Sequence, residues 1–279
     1  MKLTARKRIE NQSQQMSIPS RFHSAVVATL LAAALITPRP AGAGQRRFTY
    51  SYETLTAPQG SLEFENWVTF KRSPLHDRDL DAWEFRHEIE YGVTSRFQLA
   101  VYVADWDFAP RSAGEDAKPH RSARYSHSGV ELIYNVSNPN TDWIGSALYF
   151  EALAGDRLLE VEGKALLQKN FGPLTVVYNA ILEAVWEGAH LDEQKGEFSQ
   201  TLGVSYQLHP AVSVGGELLH EIEIPEWNRS RAERAAVFLG PNVSFHRNHI
   251  YATLTALWRA TDNHGEPDLQ TRLIFGLDF

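Results

Sequence analysis

The 279-residue chain contains no cysteine. Disulfide frameworks, thiolate nucleophiles and Cys-ligated metal centres are thereby excluded. It also lacks a basic surplus: 27 Lys and Arg stand against 34 Asp and Glu, for a net charge of -7. Nothing in that balance neutralises nucleic-acid phosphate, so no nucleic-acid partner is expected. Beyond the N-terminus, no apolar run approaches the roughly 18 residues of a spanning helix. A chain of this kind that enters a membrane crosses it with strands. Catalytic signatures are missing too, with no G-x-S-x-G, no H-E-x-x-H and no P-loop. The sequence therefore points to no enzyme, no cofactor and no metal-ligand spacing.

What is present begins with an address. Residues 25–36, AVVATLLAAALI, form an apolar run too short to span. Arg6, Lys7, Arg8 and Arg21 precede it, and PRPAGAGQ follows, with Ala41 and Ala43 in an A-x-A cleavage pattern. This order of basic flank, apolar run and small-residue site is that of a secretory signal. It gives a signal peptide over 1–43 with cleavage after Ala43. Met16 as the start would give a signal of ordinary length.

From Ser61 onward the pattern has the strand period of two. Leu62, Phe64, Val68 and Phe70 share one face, against Glu63, Glu65, Trp67 and Thr69. Trp83, Phe85, Ile89 and Tyr91 oppose Glu84, Arg86, Glu88 and Glu90 in the same way. Such segments recur near 62–72, 80–92, 96–107, 124–136, 143–155, 158–170, 173–187, 196–208, 211–223, 233–246, 249–260 and 268–279. About 12 strands is an even number, as bacterial barrels require. Short connections at 93–95, 137–142, 171–173, 209–211 and 247–249 alternate with mostly longer, polar ones at 73–79, 108–123, 188–195, 224–232 and 261–267. Only the connection near 154–157 departs from this. Short turns on one rim and long loops on the other characterise a barrel inserted from the periplasm. The fold expected is an all-β, transmembrane, antiparallel up-and-down barrel over 61–279. Residues 44–60 precede it as a periplasmic segment, a plug or an extra strand.

The final strand, DLQTRLIFGLDF, alternates Leu273, Phe275, Leu277 and the terminal Phe279. It resembles the C-terminal β-signal of outer-membrane proteins, which implies the barrel-assembly machinery as a partner. The segment YSYETLTAPQGSLEFENWVTFKR (50–72) resembles the start of uncharacterised Gram-negative outer-membrane β-barrel proteins, loosely related to the phenol-degradation (MetA-type) transporter and porin-like families. That resemblance implies architecture and a location in the outer membrane, among lipid and lipopolysaccharide.

In such a barrel the apolar face meets lipid and the polar face lines the interior, because charge on the lipid face is costly. Tyr91, Trp186 and Trp258 then suit aromatic girdles. The lumen-lining set is Glu65, Glu84, Arg86, Glu88, Glu131, Glu162, Lys164, Glu183, Glu187, Glu197, Glu217, Glu221, Glu223, Arg259 and Arg272, with Glu63, Glu90, Glu151, Glu160 and Lys71 on the same face. Gly129, Gly203 and Gly215 on the inner face leave space. Hairpin placement sets Glu187 opposite Glu197, and Glu197 near Glu223, as an acidic arc at the extracellular mouth. Rings of acids select cations. The leading functional expectation is thus a passive channel or small-solute transporter with an acidic, cation-preferring lumen. A non-conducting barrel that is structural or binds partners is the alternative, with interior ion pairs plugging the lumen. A third reading starts from His87, outward-facing with Asn66 opposite, an arrangement similar to outer-membrane phospholipase A. That enzyme needs a Ser beside its His, and here the next residue on that face is Ile89. The DWD at 105–107 offers oxygen ligands or simply an acidic rim.

Overall fold

The computed structural model describes residues 46–72, 81–111, 120–262 and 266–279. The signal segment, Ala41, Ala43 and Met16 lie outside the described residues.

Twelve antiparallel strands close into one barrel, each paired with its sequence neighbours. They are β1 (Leu62–Arg72), β2 (Ala82–Thr94), β3 (Phe97–Arg111), β4 (His120–Ser137), β5 (Gly145–Gly155) and β6 (Leu158–Phe171), followed by β7 (Leu174–Glu187), β8 (Glu193–His209), β9 (Val212–Pro225), β10 (Ala236–Arg247), β11 (Ile250–Arg259) and β12 (Leu269–Asp278). The seam joins β12 to β1, with Phe64 opposite Leu277 and Val68 opposite Leu273. Phe279 completes it, donating to the Leu62 carbonyl at 2.8 Å and accepting from the Leu62 amide at 3.3 Å. Closure leaves no sheet edge unpaired in the hydrocarbon region.

Strand ends differ from the sequence expectation where polar sequence continues the ladder. β3 reaches Arg111 and β4 starts at His120, so much of the expected 108–123 loop is strand. β8 starts at Glu193 and the hairpin loop is correspondingly tight, with Gly188 and Leu191 at positive φ. The short β5–β6 connection stays the exception among the loops of its rim. The rim that carries both ends of the barrel and the short turns is the periplasmic one.

The alternation sorts the faces. Leu148, Phe150, Leu182, Leu202, Val204 and Leu239 project from the outer wall, while the Glu side chains of the same strands turn inward. Tyr91, Tyr134 and Tyr206 near the periplasmic ends, and Trp83 and Trp258 near the extracellular ends, stand exposed on the outside. Trp186 packs there against Trp227, ring centroids 5.9 Å apart. These are the girdle positions where an amphipathic ring rests at the headgroups.

The interior is not uniformly polar. Trp67, Tyr102, Ile133, Tyr149, Leu166, Leu219, Phe238 and Leu257 are buried inward. They pack on residues 46–57, which run inside the barrel before a turn at Pro58–Ser61 delivers the chain to β1. At that turn Gly60 adopts φ +84 and its amide bonds the Gly92 carbonyl at 2.7 Å. A Cβ on Gly92 would lie 1.9 Å from the Pro58 carbonyl oxygen, so only glycine permits this approach.

Phe279 tests whether the terminal strand is read during assembly. Its side chain is 71% exposed, so Phe279→Ser removes little packing within the protein. We expect the variant to show reduced outer-membrane levels and accumulated periplasmic precursor on fractionation. Wild-type insertion, judged by the heat-dependent gel shift of a closed barrel, would make the terminal resemblance accidental.

Candidate functional site

The periplasmic half of the lumen is occupied by residues 46–57, the plug. An extended segment carries backbone donors and acceptors that must be satisfied, and no strand edge is free to satisfy them. Inward side chains do so instead. One Glu217 carboxylate accepts three successive plug amides, from Thr49 (2.9 Å), Tyr50 (2.9 Å) and Ser51 (2.8 Å), and the Thr255 hydroxyl at 2.6 Å. Converging consecutive N–H groups make an anion-binding concavity, here filled by the barrel's own side chain. Asn179 brackets Tyr52, accepting from its amide at 2.7 Å and donating to its carbonyl at 3.1 Å. Gln168 accepts from the Thr54 amide, Gln98 from the Ala57 amide, and Asn242 donates to the Arg47 carbonyl. The Thr253 hydroxyl bonds the Arg46 carbonyl.

Plug side chains fill apolar sockets. Tyr52 joins Trp67, Ile133, Tyr149, Leu166 and Ile274, and Tyr50 joins Leu219, Phe238 and Leu257. Phe48, fully buried, lies over Gly203, where an added Cβ would meet its ring at 2.7 Å. Gly203 therefore seats the plug rather than leaving open space. Gly129 and Gly215 likewise mark close contacts, with Ala152 and Val204 carbonyl oxygens within 2.5 Å and 1.9 Å of a built Cβ.

Above the plug lies a vestibule of about 490 Å³ facing the extracellular side. Its floor is aromatic and cationic. Arg272 lies 4.2 Å from the Tyr50 ring centroid, Arg86 3.9 Å from Tyr102, and Lys164 4.2 Å and 4.1 Å from Tyr52 and Tyr149. Arg86 also pairs with Asp105 (2.7 Å) and approaches Glu151 (3.5 Å), and Lys164 pairs with Glu162 (2.8 Å). His127 Nε2 approaches the same Asp105 oxygen, Oδ2, at 2.8 Å, so the first Asp of the DWD serves internal pairing. Glu84 pairs with Lys71 at 2.8 Å, and Arg259 with Asp268 at 2.5 Å near the rim.

Register brings the acids into one row. Reading cross-strand partners from β12 round to β9 gives Asp278, Glu63, Glu90, Ala100, Glu131, Glu151, Glu162, Glu183, Glu197 and Glu223, each directly opposite the next. Ala100 is the only non-acid in it. Because the strands are tilted, the row climbs from the periplasmic rim to the extracellular mouth. The mouth differs from the sequence expectation by one hairpin register: Glu187 faces Glu193, and Glu183 is the residue opposite Glu197. Glu197 does face Glu223. The tight loop after Gly188 sets this offset. Lys195 reaches both Glu187 and Glu223 at 3.7 Å. A second cavity of about 260 Å³ opens there, lined by Glu197, Glu221, Glu223 and Glu266 and also by Lys71, Lys195 and Arg234. Burial, and then the Glu197 charge, hold the Glu266 carboxyl in the loop above its ordinary range.

On the outer wall His87 sits opposite Asn66, Nδ1 to Oδ1 2.8 Å. Its Nε2 accepts the Trp106 indole N–H at 3.1 Å. Nδ1 therefore carries the proton and donates to Asn66, and both nitrogens are engaged with no hydroxyl nucleophile between them.

Closed pairing, a lipid-compatible exterior and a polar lumen define an outer-membrane β-barrel protein. Within that class the chain belongs to the family of unknown function DUF6662, whose profile matches residues 40–266 and so includes the plug. No curated protein matches. Among solved structures it is similar in fold to the COG4313 outer membrane channel from Pseudomonas putida F1, at TM-score 0.52 and 15% identity, covering 83% of this chain and 100% of that one. It is also similar to the NanC porin, at TM-score 0.50 and 9% identity, covering 78% and 98%. At these identities the likeness concerns the fold.

Glu217 is the strongest single anchor of the plug. Glu217→Ala orphans three amides of a buried segment, which weakens docking by about 2–4 kcal/mol. Hydrogen exchange of Thr49, Tyr50 and Ser51 should accelerate by the corresponding factor while the barrel keeps its gel shift. Unchanged protection of these three amides would show that the plug is held elsewhere.

Proposed function

We propose that this protein is a plugged outer-membrane channel whose acidic wall favours cations and whose N-terminal segment yields for passage. The observation that carries the reading is the carboxylate row. Like charges directly opposite one another destabilise a sheet. Two carboxylates about 5 Å apart repel by about 1 kcal/mol even in water, and by more beside low-dielectric walls. A fold that repeats this across successive strand pairs bears a cost that bringing in cations relieves directly, as in acidic selectivity rings. Arg86, Lys164 and Lys195 offset part of the row and leave carboxylates in excess.

The plug's attachment supports displacement. It contributes no strand to the sheet, and its backbone is held by side-chain hydrogen bonds. Side-chain anchors of this kind are released one group at a time, whereas removing a strand would open the barrel. A second reading, a non-conducting barrel that presents its vestibule to an extracellular partner, is favoured by the aromatic and cationic floor that closes the cavity. No catalytic role is proposed.

The reversal potential in a planar bilayer under a salt gradient tests the proposal. The wild type should conduct weakly and intermittently, and a chain lacking residues 46–57 steadily, both preferring cations. Glu183→Gln/Glu223→Gln in the shortened chain should lower that preference. Anion preference would overturn the acidic-wall reading, and a shortened chain that folds but does not conduct would favour the closed vestibule.

A further inference from the structure

The row of acids is interrupted once, at Ala100, and the interruption is informative. Ala100 is fully buried and its methyl group occupies little of the space between Glu90 on β2 and Glu131 on β4. Glu88, one pleat along β2, turns into the same space. Carboxylate oxygens of Glu88, Glu90 and Glu131 all lie within 4.8 Å of one another, and each residue is 6% exposed or less.

The hydrogen bonding around these groups is uneven. Glu90 accepts from the Gln98 amide at 2.7 Å, and Glu131 from the Tyr102 hydroxyl at 2.6 Å and the Tyr52 hydroxyl at 3.3 Å. Among the described residues Glu88, fully buried, has no hydrogen-bond partner on either oxygen, and one Glu131 oxygen is also without one. Buried carboxylates are ordinarily paired, hydrogen-bonded or bound to metal. Cationic groups are scarce: Arg46 reaches Glu65 at 2.7 Å and Glu90 at 3.7 Å but does not pair with Glu88. Five carboxylates, Glu63, Glu65, Glu88, Glu90 and Glu131, thus gather near the Arg46 guanidinium, with the Lys164 ammonium, paired to Glu162, the next cation towards Glu131.

We propose that Glu88, Glu90 and Glu131 bind a divalent cation of the calcium class. All the donors are hard oxygens, which suit Ca²⁺ and Mg²⁺ rather than softer metals. An all-protein carboxylate cluster favours the larger ion, because Mg²⁺ dehydrates reluctantly and usually keeps several waters, and oxygens within 4.8 Å of one another can share a Ca²⁺ at about 2.3–2.6 Å. One divalent ion halves the local surplus of negative charge and gives the Glu88 oxygens a partner. It also joins the β2 and β4 walls beside the plug, which touches the cluster through Arg46 and the Tyr52 hydroxyl. The site does not depend on conduction: a barrel that never opens would need the same charge relief.

Terbium luminescence on the purified, folded protein tests this at neutral pH, with Tyr52, Tyr102 and Trp67 as nearby sensitisers. Sensitised emission should saturate at one Tb³⁺ per chain and be displaced by Ca²⁺. In Glu88→Gln and in Glu131→Gln the affinity should fall at least about tenfold as one ligand charge is removed. Absence of sensitised emission, or emission that Ca²⁺ does not displace, would overturn the site and leave the carboxylates holding protons instead. Emission lost in Glu223→Gln but kept in Glu88→Gln would also overturn it, moving the ion to the mouth. Should neither cluster variant fold, the wild type decides: a ligand that binds only the folded state raises its stability. A gel-shift temperature equal in Ca²⁺ and in chelator would then refute the proposal.

Discussion

A closed sheet has no free edge, so a chain segment held inside it has nothing to pair with except side chains. Most of this lumen follows from that constraint. Gln98, Gln168, Asn179, Glu217 and Asn242 are inward amides and a carboxylate, set where backbone groups of residues 47–57 need acceptors or donors. Each replaces one rung of a ladder that closure forbids. The tyrosines and Phe48 supply the apolar burial that hydrogen bonds alone do not, since net gain per bond is small once water is counted. A lumen destined to stay full of water would need neither the matched amides nor the sockets around Tyr50 and Tyr52.

The acids respond to a different demand and share the same wall. In the periplasmic half, Arg46, Tyr251 and the plug enclose Glu63 and Glu65. In the extracellular half, Glu197 and Glu223 border open cavity beside Lys195, and water and mobile ions there screen charge. One row therefore passes from a dry environment, where counter-charge must be fixed, to a wetter one, where solvent shares that task with Lys195. Tilt produces this gradient: residues in register on neighbouring strands stand at successively different depths. The cations sit between the two regimes, with Arg86 and Lys164 at the vestibule floor over Tyr102, Tyr52 and Tyr149. There the guanidinium and ammonium groups gain from ring faces as well as from carboxylates.

Alternation made the barrel legible from sequence. Leu62, Phe64, Val68 and Phe70 against Glu63, Glu65 and Thr69 fix strand, period and lipid face at once, and the sorted loop lengths fix topology. Depth and register were not legible. Parity says that Glu183, Glu187 and Glu197 share a face, but the tight turn after Gly188 decides which two meet, and turn geometry moves a partner by several residues without changing the alternation. Nor could residues 46–60 declare their role. Their anchors lie on strands far along the chain, 168 residues away for Thr49 and Glu217, and no local pattern encodes a contact of that separation. Gly203 shows the same limit. An inward glycine reads as space until the phenyl ring that fills it is known.

That separation also bears on order of events. The plug precedes β1, yet its partners come from β3, β6, β7, β9, β10 and β11 as well as from Arg272 on β12, which donates to the Thr49 carbonyl. No subset of early strands offers the complete socket, so docking is complete only after β12 has met β1. Pairing at that seam uses Leu62 onward and makes no demand on the plug. The ladder bonds of the wall use no group of the plug, although Arg46 supplies counter-charge to Glu65 on β1 and Glu90 on β2. Backbone ladders thus hold the wall, while side-chain hydrogen bonds and ion pairs hold the plug.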